Sequence, residues 1–151
     1  MILVAGLTPA WQQILVLDRL RIGEVNRARQ AVWCGSGKVL NAGMAAHWLG
    51  GPSRILAPLG GDHKAQICAE FERMGVPLRC VPTEASTRVC TTIIDRSDGS
   101  ITELVENGRP LAPAELDEFR HVFAEEAARA GVVVLIGSLP AGVPDTFYRE
   151  L

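Results

Sequence analysis

The residues best suited to chemistry lie in the stretch Cys34–Gly51. It reads Cys-Gly-Ser-Gly-Lys-Val-Leu-Asn and then Ala-Gly-Met-Ala-Ala-His-Trp-Leu-Gly-Gly. A glycine-rich turn runs straight into an apolar, small-residue segment, Val39–Leu49, which predicts a buried helix. Gly35 and Gly37 can take backbone angles closed to other residues and let a ligand approach the main chain. A helix that starts here offers unpaired N–H groups and the positive end of its dipole. Lys38 adds a cation, and Asn41 an amide that both donates and accepts. This combination predicts a small polar pocket for a hydroxylated or anionic ligand.

Two other ligand classes fail on spacing. A GxxxxGK[ST] phosphate loop would need glycine in place of Val32 and serine or threonine in place of Val39. A dinucleotide fold would need GxGxxG after the first strand, where Gly6-Leu7-Thr8-Pro9 stands instead.

The elements that must position this stretch follow from hydrophobic patterning. Ile2–Leu7, Arg54–Leu59 and Val132–Ile136 are apolar runs of the kind found in parallel strands covered on both faces. Helices are predicted over Lys64–Met74, after Asp62 as cap, and from Pro113 to Gly131. Asp145–Leu151 reads as the first turns of another. Gln13–Asp18, Glu24–Trp33, Arg79–Val81, Thr87–Asp95 and Ser100–Glu106 read as strands, with Ser97-Asp98-Gly99 as a hairpin turn. Strand–helix–strand units around a β-rich patch predict an α/β fold with a mostly parallel sheet. A second, smaller sheet, drawn from about 13–33 and 79–106, forms a lid. The last helix has no stop signal, so the domain is expected to continue beyond Leu151.

In open parallel sheets ligands bind at the carboxyl ends of strands. Thr8–Gln12, Gly35–Asn41, Gly60–Asp62 and Gly137–Ser138 all fall at predicted strand or turn ends. Asp62 reads as a helix cap, His47 as a buried imidazole, His63 and His121 as surface residues, and Met44 and Trp48 as core.

Composition narrows the class further. The 151 residues can form one compact domain. With 48% hydrophobic and 21% charged residues the chain has the make-up of a soluble globular protein. A net charge of -2 argues against nucleic acid, and no apolar run approaches the roughly 20 residues that span a bilayer. Cys34, Cys68, Cys80 and Cys90 show no CxxC pairing or metal-ligand spacing, so free thiols in a cytoplasmic protein are expected.

The ordered segments GEVNRA, GSGKVLNAG, LGG, LGGD, STR and GSLPAGVP resemble the PfkB family of carbohydrate kinases, nearest to its 1-phosphofructokinase and tagatose-6-phosphate kinase branch. The resemblance covers the whole chain but only the amino-terminal half of such an enzyme. It implies a ribokinase-like α/β fold, incomplete at the C-terminus: a mostly parallel sheet with helices on both faces plus a small β lid. It also implies transfer of the γ-phosphoryl of ATP, with Mg²⁺, to a hydroxyl of a sugar phosphate, and a homodimer through the lid. Carried over by position, the substrate-binding residues are Gln12, Arg27, Gly37, Lys38, Asn41, Arg88 and Ser138. Arginine forks suit a phosphosugar because they bind phosphate bidentately. On local sequence alone, Ser138 also suits a loop cap, Asn41 a helix brace, and Lys38, Arg27 and Arg88 solvated charges.

Three positions depart from the family pattern. Gln12 stands for a sugar-binding aspartate, Val39 for a glycine, and Val105 for a frequent asparagine. The family's Gly-Ala-Gly-Asp segment, which supplies the anion hole and the catalytic base, has no counterpart, so no catalytic residue is expected here. ATP and Mg²⁺ are expected to bind mainly outside this chain. A non-catalytic sugar-phosphate binding module is the alternative reading.

Overall fold

A computed structural model describes all of residues 1–151. Two four-stranded sheets organise it. The first is wholly parallel. At its centre lie β1 (Ile2–Ala5) and β4 (Ser53–Gly60), flanked by β5 (Leu78–Thr83) beyond β4 and β8 (Val132–Leu135) beyond β1. The second joins β2 (Ala10–Leu17), β3 (Gln30–Ser36), β6 (Arg88–Asp95) and β7 (Ile101–Val105) in the order β3-β2-β6-β7.

Alternation along the central strands explains the layers, because successive strand side chains point to opposite faces. Val4, Ile55, Ala57 and Leu59 pack with Val39 and Leu40 of α1 (Lys38–Trp48) and with Ile67 and Phe71 of α2 (His63–Arg73). Leu3, Ala5 and Leu56 pack on the other face with Leu116, Phe119 and Phe123 of α3 (Pro113–Ala127) and Phe147 of α4 (Phe147–Glu150). Each fully buried Leu or Phe contributes roughly 1.5–3 kcal/mol. A buried Glu126 on α3 takes both carboxylate oxygens to Nη1 of Arg54 on β4, each at 2.9 Å, tying helix to sheet. Glu115 accepts from the backbone N–H of Ala112 and of Glu84, both at 2.7 Å, so it caps α3 and holds the segment after β5.

Several elements differ from the sequence expectation. β2 begins at Ala10 rather than at the expected Gln13, because Ala10, Trp11 and Gln12 find ladder partners on both sides. β3 runs Gln30–Ser36 rather than Glu24–Trp33. Asn26 bonds the Arg21 and Glu24 backbone and holds the preceding loop in a turn. β5 belongs to the main sheet, parallel to β4, because β4, α2 and β5 form one strand–helix–strand crossover. The lid therefore takes its second segment from Arg88 onward.

β8 pairs parallel to β1 as expected, and within these 151 residues its Val132 and Val133 are 55% and 40% exposed. Trp48 is 65% exposed at the end of α1 instead of core, since α1 turns Leu40 and Gly43 to the sheet and Trp48 falls off that stripe. Asp62 occupies the cap position of α2 but makes no side-chain capping bond. His63 is half-buried and stacks on Trp11, which in turn stacks on Trp33 of the lid, with centroids 5.9 and 6.1 Å apart. All four cysteines are free. Cys80 faces Cys68 in the packed layer, and burial foremost pushes its thiol up to about 11.

Gly43 marks where α1 touches the sheet: any Cβ there would collide with Ile55. Gly43→Ala is expected to cost about 1–3 kcal/mol in urea denaturation through overpacking. Ile55→Ala should cost less in that background than in the parent protein, because it removes the clashing atoms. Additive losses would show that the two residues do not compete for the same space.

Candidate functional site

The lid meets the main sheet at the carboxyl ends of β1 and β8, and an open cleft of about 330 Å³ lies there. Ala10, Gln12, Ser36, Gly37, Lys38, Asn41, Arg88, Cys90, Glu103, Val105 and Ser138 line it. Six of the seven residues expected at a site are thus brought together: Gln12, Gly37, Lys38, Asn41, Arg88 and Ser138. Arg27 is not among them. The rung Ala10–Ser36 sits at the cleft and the rung Val16–Gln30 at the outer tip, so the loop carrying Arg27 leaves the lid several rungs away. At about 3.3 Å per residue, Gln12 and Val16 alone are roughly 13 Å apart.

Local backbone demands shape the floor. Gly37 has φ +90°, and a Cβ there would sit 2.8 Å from the carbonyl oxygen of Thr8. Only glycine lets the turn lie against the β1–β2 connection. Gly35 is equally tight: its N–H donates to Oε2 of Glu70 at 2.6 Å, and a side chain would strike Phe71. Burial first, and then the Glu70 carboxylate, push the Cys34 thiol above its usual range. The helix α1 begins immediately after Gly37 with no side-chain cap and no acidic residue in its first turn. Its first N–H groups, the Lys38 ammonium and the Asn41 amide therefore share one end of the cleft. Lys38 forms no ion pair and is exposed.

Arg88 is held firmly. Its Nε donates to the Pro9 carbonyl at 3.4 Å, Nη2 to the Thr8 carbonyl at 3.1 Å and Nη1 to the Glu106 carbonyl at 3.0 Å. A guanidinium has five N–H donors, so two remain for a ligand. The arginine thus locks the hinge and keeps a partial fork free. Glu106 also accepts the Val89 N–H at 3.0 Å, closing the inner end of β7 onto β6.

Strand ends are braced from below. Thr8 Oγ1 lies 3.2 Å from both the carbonyl oxygen and Oγ of Ser138. Tyr148 accepts the Leu7 N–H at 3.2 Å and donates to the Ile136 carbonyl at 3.4 Å. The fourth strand end named from sequence, Gly60–Asp62, lies outside the cleft: Gly60 is pressed against Thr83 and Ala85 and donates to Thr87 at 3.1 Å. Sequence reasoning missed Glu103, Cys90 and Tyr148, and placed Thr8 at a strand end without giving it a role. Glu103 lies in a strand already identified, but only the strand pairing shows that it shares the cleft-side face with Ile101 and Val105. Tyr148 left no signal, because its partners are main-chain groups.

A parallel sheet clothed by helices on both faces, with a β lid over the strand ends, defines the ribokinase-like α/β fold. Residues 2–151 match the model of the pfkB family carbohydrate kinases, and the chain belongs to that family. Among solved structures it is similar to phosphofructokinase-2 from Escherichia coli in complex with fructose-6-phosphate, with TM-score 0.86 and 22% identity over 99% of this chain and 50% of that one. It is also similar to a Thermotoga maritima protein described as a possible 1-phosphofructokinase, with TM-score 0.90 and 22% identity over 99% of this chain and 49% of that one. The tetrameric inhibited form of the Escherichia coli enzyme gives TM-score 0.89 at 22% identity, over 99% and 49% of the two chains. This chain spans about half the length of those proteins.

Tyr148 is the sole tyrosine, so its ionisation can be followed alone. Burial raises its phenol above the ordinary value of 10.0. A group with a raised folded-state pKa contributes stability that is complete below the unfolded value and is lost as pH rises through the folded one. The phenolate absorbance should therefore appear at higher pH in the native protein than in urea. Tyr148→Phe should remove it and lower stability by about 1–3 kcal/mol, because Leu7 N–H loses its acceptor. Coincident titrations in the two states would contradict this account.

Proposed function

We propose that this chain carries the sugar half-site of an ATP-dependent phosphosugar kinase of the 1-phosphofructokinase or tagatose-6-phosphate kinase type. The observation behind the reading is the convergence of Gln12, Gly37, Lys38, Asn41, Arg88 and Ser138 on one cleft, in a chain of the pfkB family. Lys38, the two free donors of Arg88 and the amide groups opening α1 suit the phosphate of the sugar. Asn41, Gln12 and Ser138 suit its hydroxyls. Phosphoryl transfer depends on positioning and charge stabilisation, and these residues supply the acceptor's position.

ATP and Mg²⁺ are assigned to the part of the full-length protein outside this sequence. The general base is placed outside the chain as well, and the chain alone is proposed to bind without transferring. The uncharged Gln12 also fits a protein that holds a sugar phosphate and does no chemistry. The two readings part on turnover by the full-length gene product.

That product should consume ATP with fructose 6-phosphate, fructose 1-phosphate or tagatose 6-phosphate when Mg²⁺ is present. Turnover with none of them, beside tight binding of one, would favour the binding module. Lys38→Gln should weaken sugar-phosphate binding by about tenfold or more, from a lost charged contact of roughly 1.5–3 kcal/mol. Because Lys38 is exposed and unpaired, stability should move by less than about 0.5 kcal/mol. Unchanged affinity in that variant would remove Lys38 from the site.

The lid is further proposed to pair with a second copy. On its cleft-side face, Ile14, Val16, Val32, Ile94 and Ile101 share adjacent rungs beyond the cleft. Ile101 is 65% exposed, and Ile22 and Val25 in the loop that carries Arg27 are more so. An apolar patch of this kind marks an interaction surface. Such pairing would cover the apolar rungs and bring the Arg27 loop against another subunit. Sedimentation at micromolar concentration should give a dimer, and Ile101→Glu a monomer; a monomeric parent protein would rule the pairing out.

A further inference from the structure

Three residues on the cleft-side face of the lid form a chain of hydrogen bonds that binding a ligand does not require. Gln12 Nε2 donates to Thr92 Oγ1 at 2.6 Å, and Thr92 Oγ1 donates to Glu103 Oε1 at 3.4 Å. The ladder explains the geometry. Ile14 pairs with Thr92 and Thr92 with Glu103, so Gln12 lies one rung inward and diagonal to Thr92 on the same face. Gln12 and Glu103 both line the cleft.

Donor and acceptor counting fixes the direction of this chain. An ionised carboxylate can only accept, so Glu103 takes the single hydroxyl proton of Thr92. Thr92 is left with lone pairs alone for Gln12. The amide of Gln12 must then turn its NH₂ toward Thr92, which leaves Oε1 for the cleft. We propose that Glu103 is a positioning residue: through Thr92 it sets Gln12 as a hydrogen-bond acceptor for a hydroxyl of the ligand. This deepens, and rests on, the reading of the cleft as a sugar-phosphate site. It makes the cleft two-ended. Lys38, Arg88 and the start of α1 receive an anion near the hinge, and Gln12 accepts from a polyol one rung out. Ligands whose group at that position only accepts, such as a ketone or an ether in place of a hydroxyl, are disfavoured, since their oxygen would face Oε1.

The relay can be tested with and without ligand. In proton–nitrogen spectra of this chain, Glu103→Ala should shift the Gln12 side-chain amide resonances and speed their exchange with solvent. Thr92→Val should do the same, and Leu104→Ala, on the opposite face of the same strand, should not. Gln12 resonances unmoved by Glu103→Ala would overturn the relay, whatever the protein binds. Calorimetry with fructose 6-phosphate, fructose 1-phosphate and tagatose 6-phosphate then tests the consequence. Gln12→Ala removes the acceptor and should weaken the best of these ligands roughly tenfold, and Glu103→Ala, which frees the Gln12 amide to present either end, should weaken it about threefold. Because Glu103 acts through Gln12, adding Glu103→Ala to Gln12→Ala should weaken binding no further. A double variant whose loss is the sum of the two single losses would overturn the assignment. Failure of the parent chain to bind any of the three would instead reject the sugar-phosphate reading, with the spectra still deciding the relay.

Discussion

The guanidinium of Arg88 is the fastening on which the molecule's working end depends. Its three bonds reach the carbonyls of Thr8 and Pro9, on the connection between the two sheets, and of Glu106, just after β7. Those oxygens lie outside the strand ladders, and those of the buried Thr8 and Pro9 would be costly to leave without partners. One side chain satisfies all three and fixes the angle between lid and main sheet. The cleft exists because that angle holds. The arginine has to be on β6 because β6 runs parallel to β2, which places its first residue beside Ala10 at the hinge.

Close approach of backbone to backbone is the second constraint. Gly37 lies against Thr8, and Gly6 against the Ile136 carbonyl, with no room for a side chain at either. These contacts draw the ends of β1 and β8 and the start of α1 into one small region. Thr8, Ser138 and Tyr148 then tie those ends with side-chain bonds. Charge follows from the same geometry. The mouth of α1 carries no acid, so Lys38 and the first amides keep an uncompensated positive end.

Much of this was legible in the residues. The glycine–lysine–asparagine run, the apolar strands and the helix stripes at Ile67 and Phe71 and at Leu116, Phe119 and Phe123 announce both the layer fold and most of the cleft. What escaped reading depends on partners distant in sequence. Ala10–Gln12 looks like a loop after proline until β3 and β6 supply bonds on either side. Leu78–Thr83 looks like lid until the crossover from β4 claims it. Arg27 sits in a segment that matches the family's pattern, yet strand register carries it to the far end of the lid. Glu103 hid within a strand already identified, because only the fold reveals that its face is the inner one.

The parallel pairings carry a temporal consequence. β1 lies between β4 and β8, and Thr8 meets Ser138 across 130 positions of sequence. Contacts that close such long stretches form late, since the chain must surrender loop entropy before they repay it. During synthesis the amino-terminal strand thus emerges long before its second neighbour exists. Until then one of its edges is a bare row of amides and carbonyls, open to any extended segment nearby. The nascent protein accordingly passes through a stage in which one of its buried central strands is also its most adhesive one, and it is at this stage that a chaperone or a rapid ribosome would matter most.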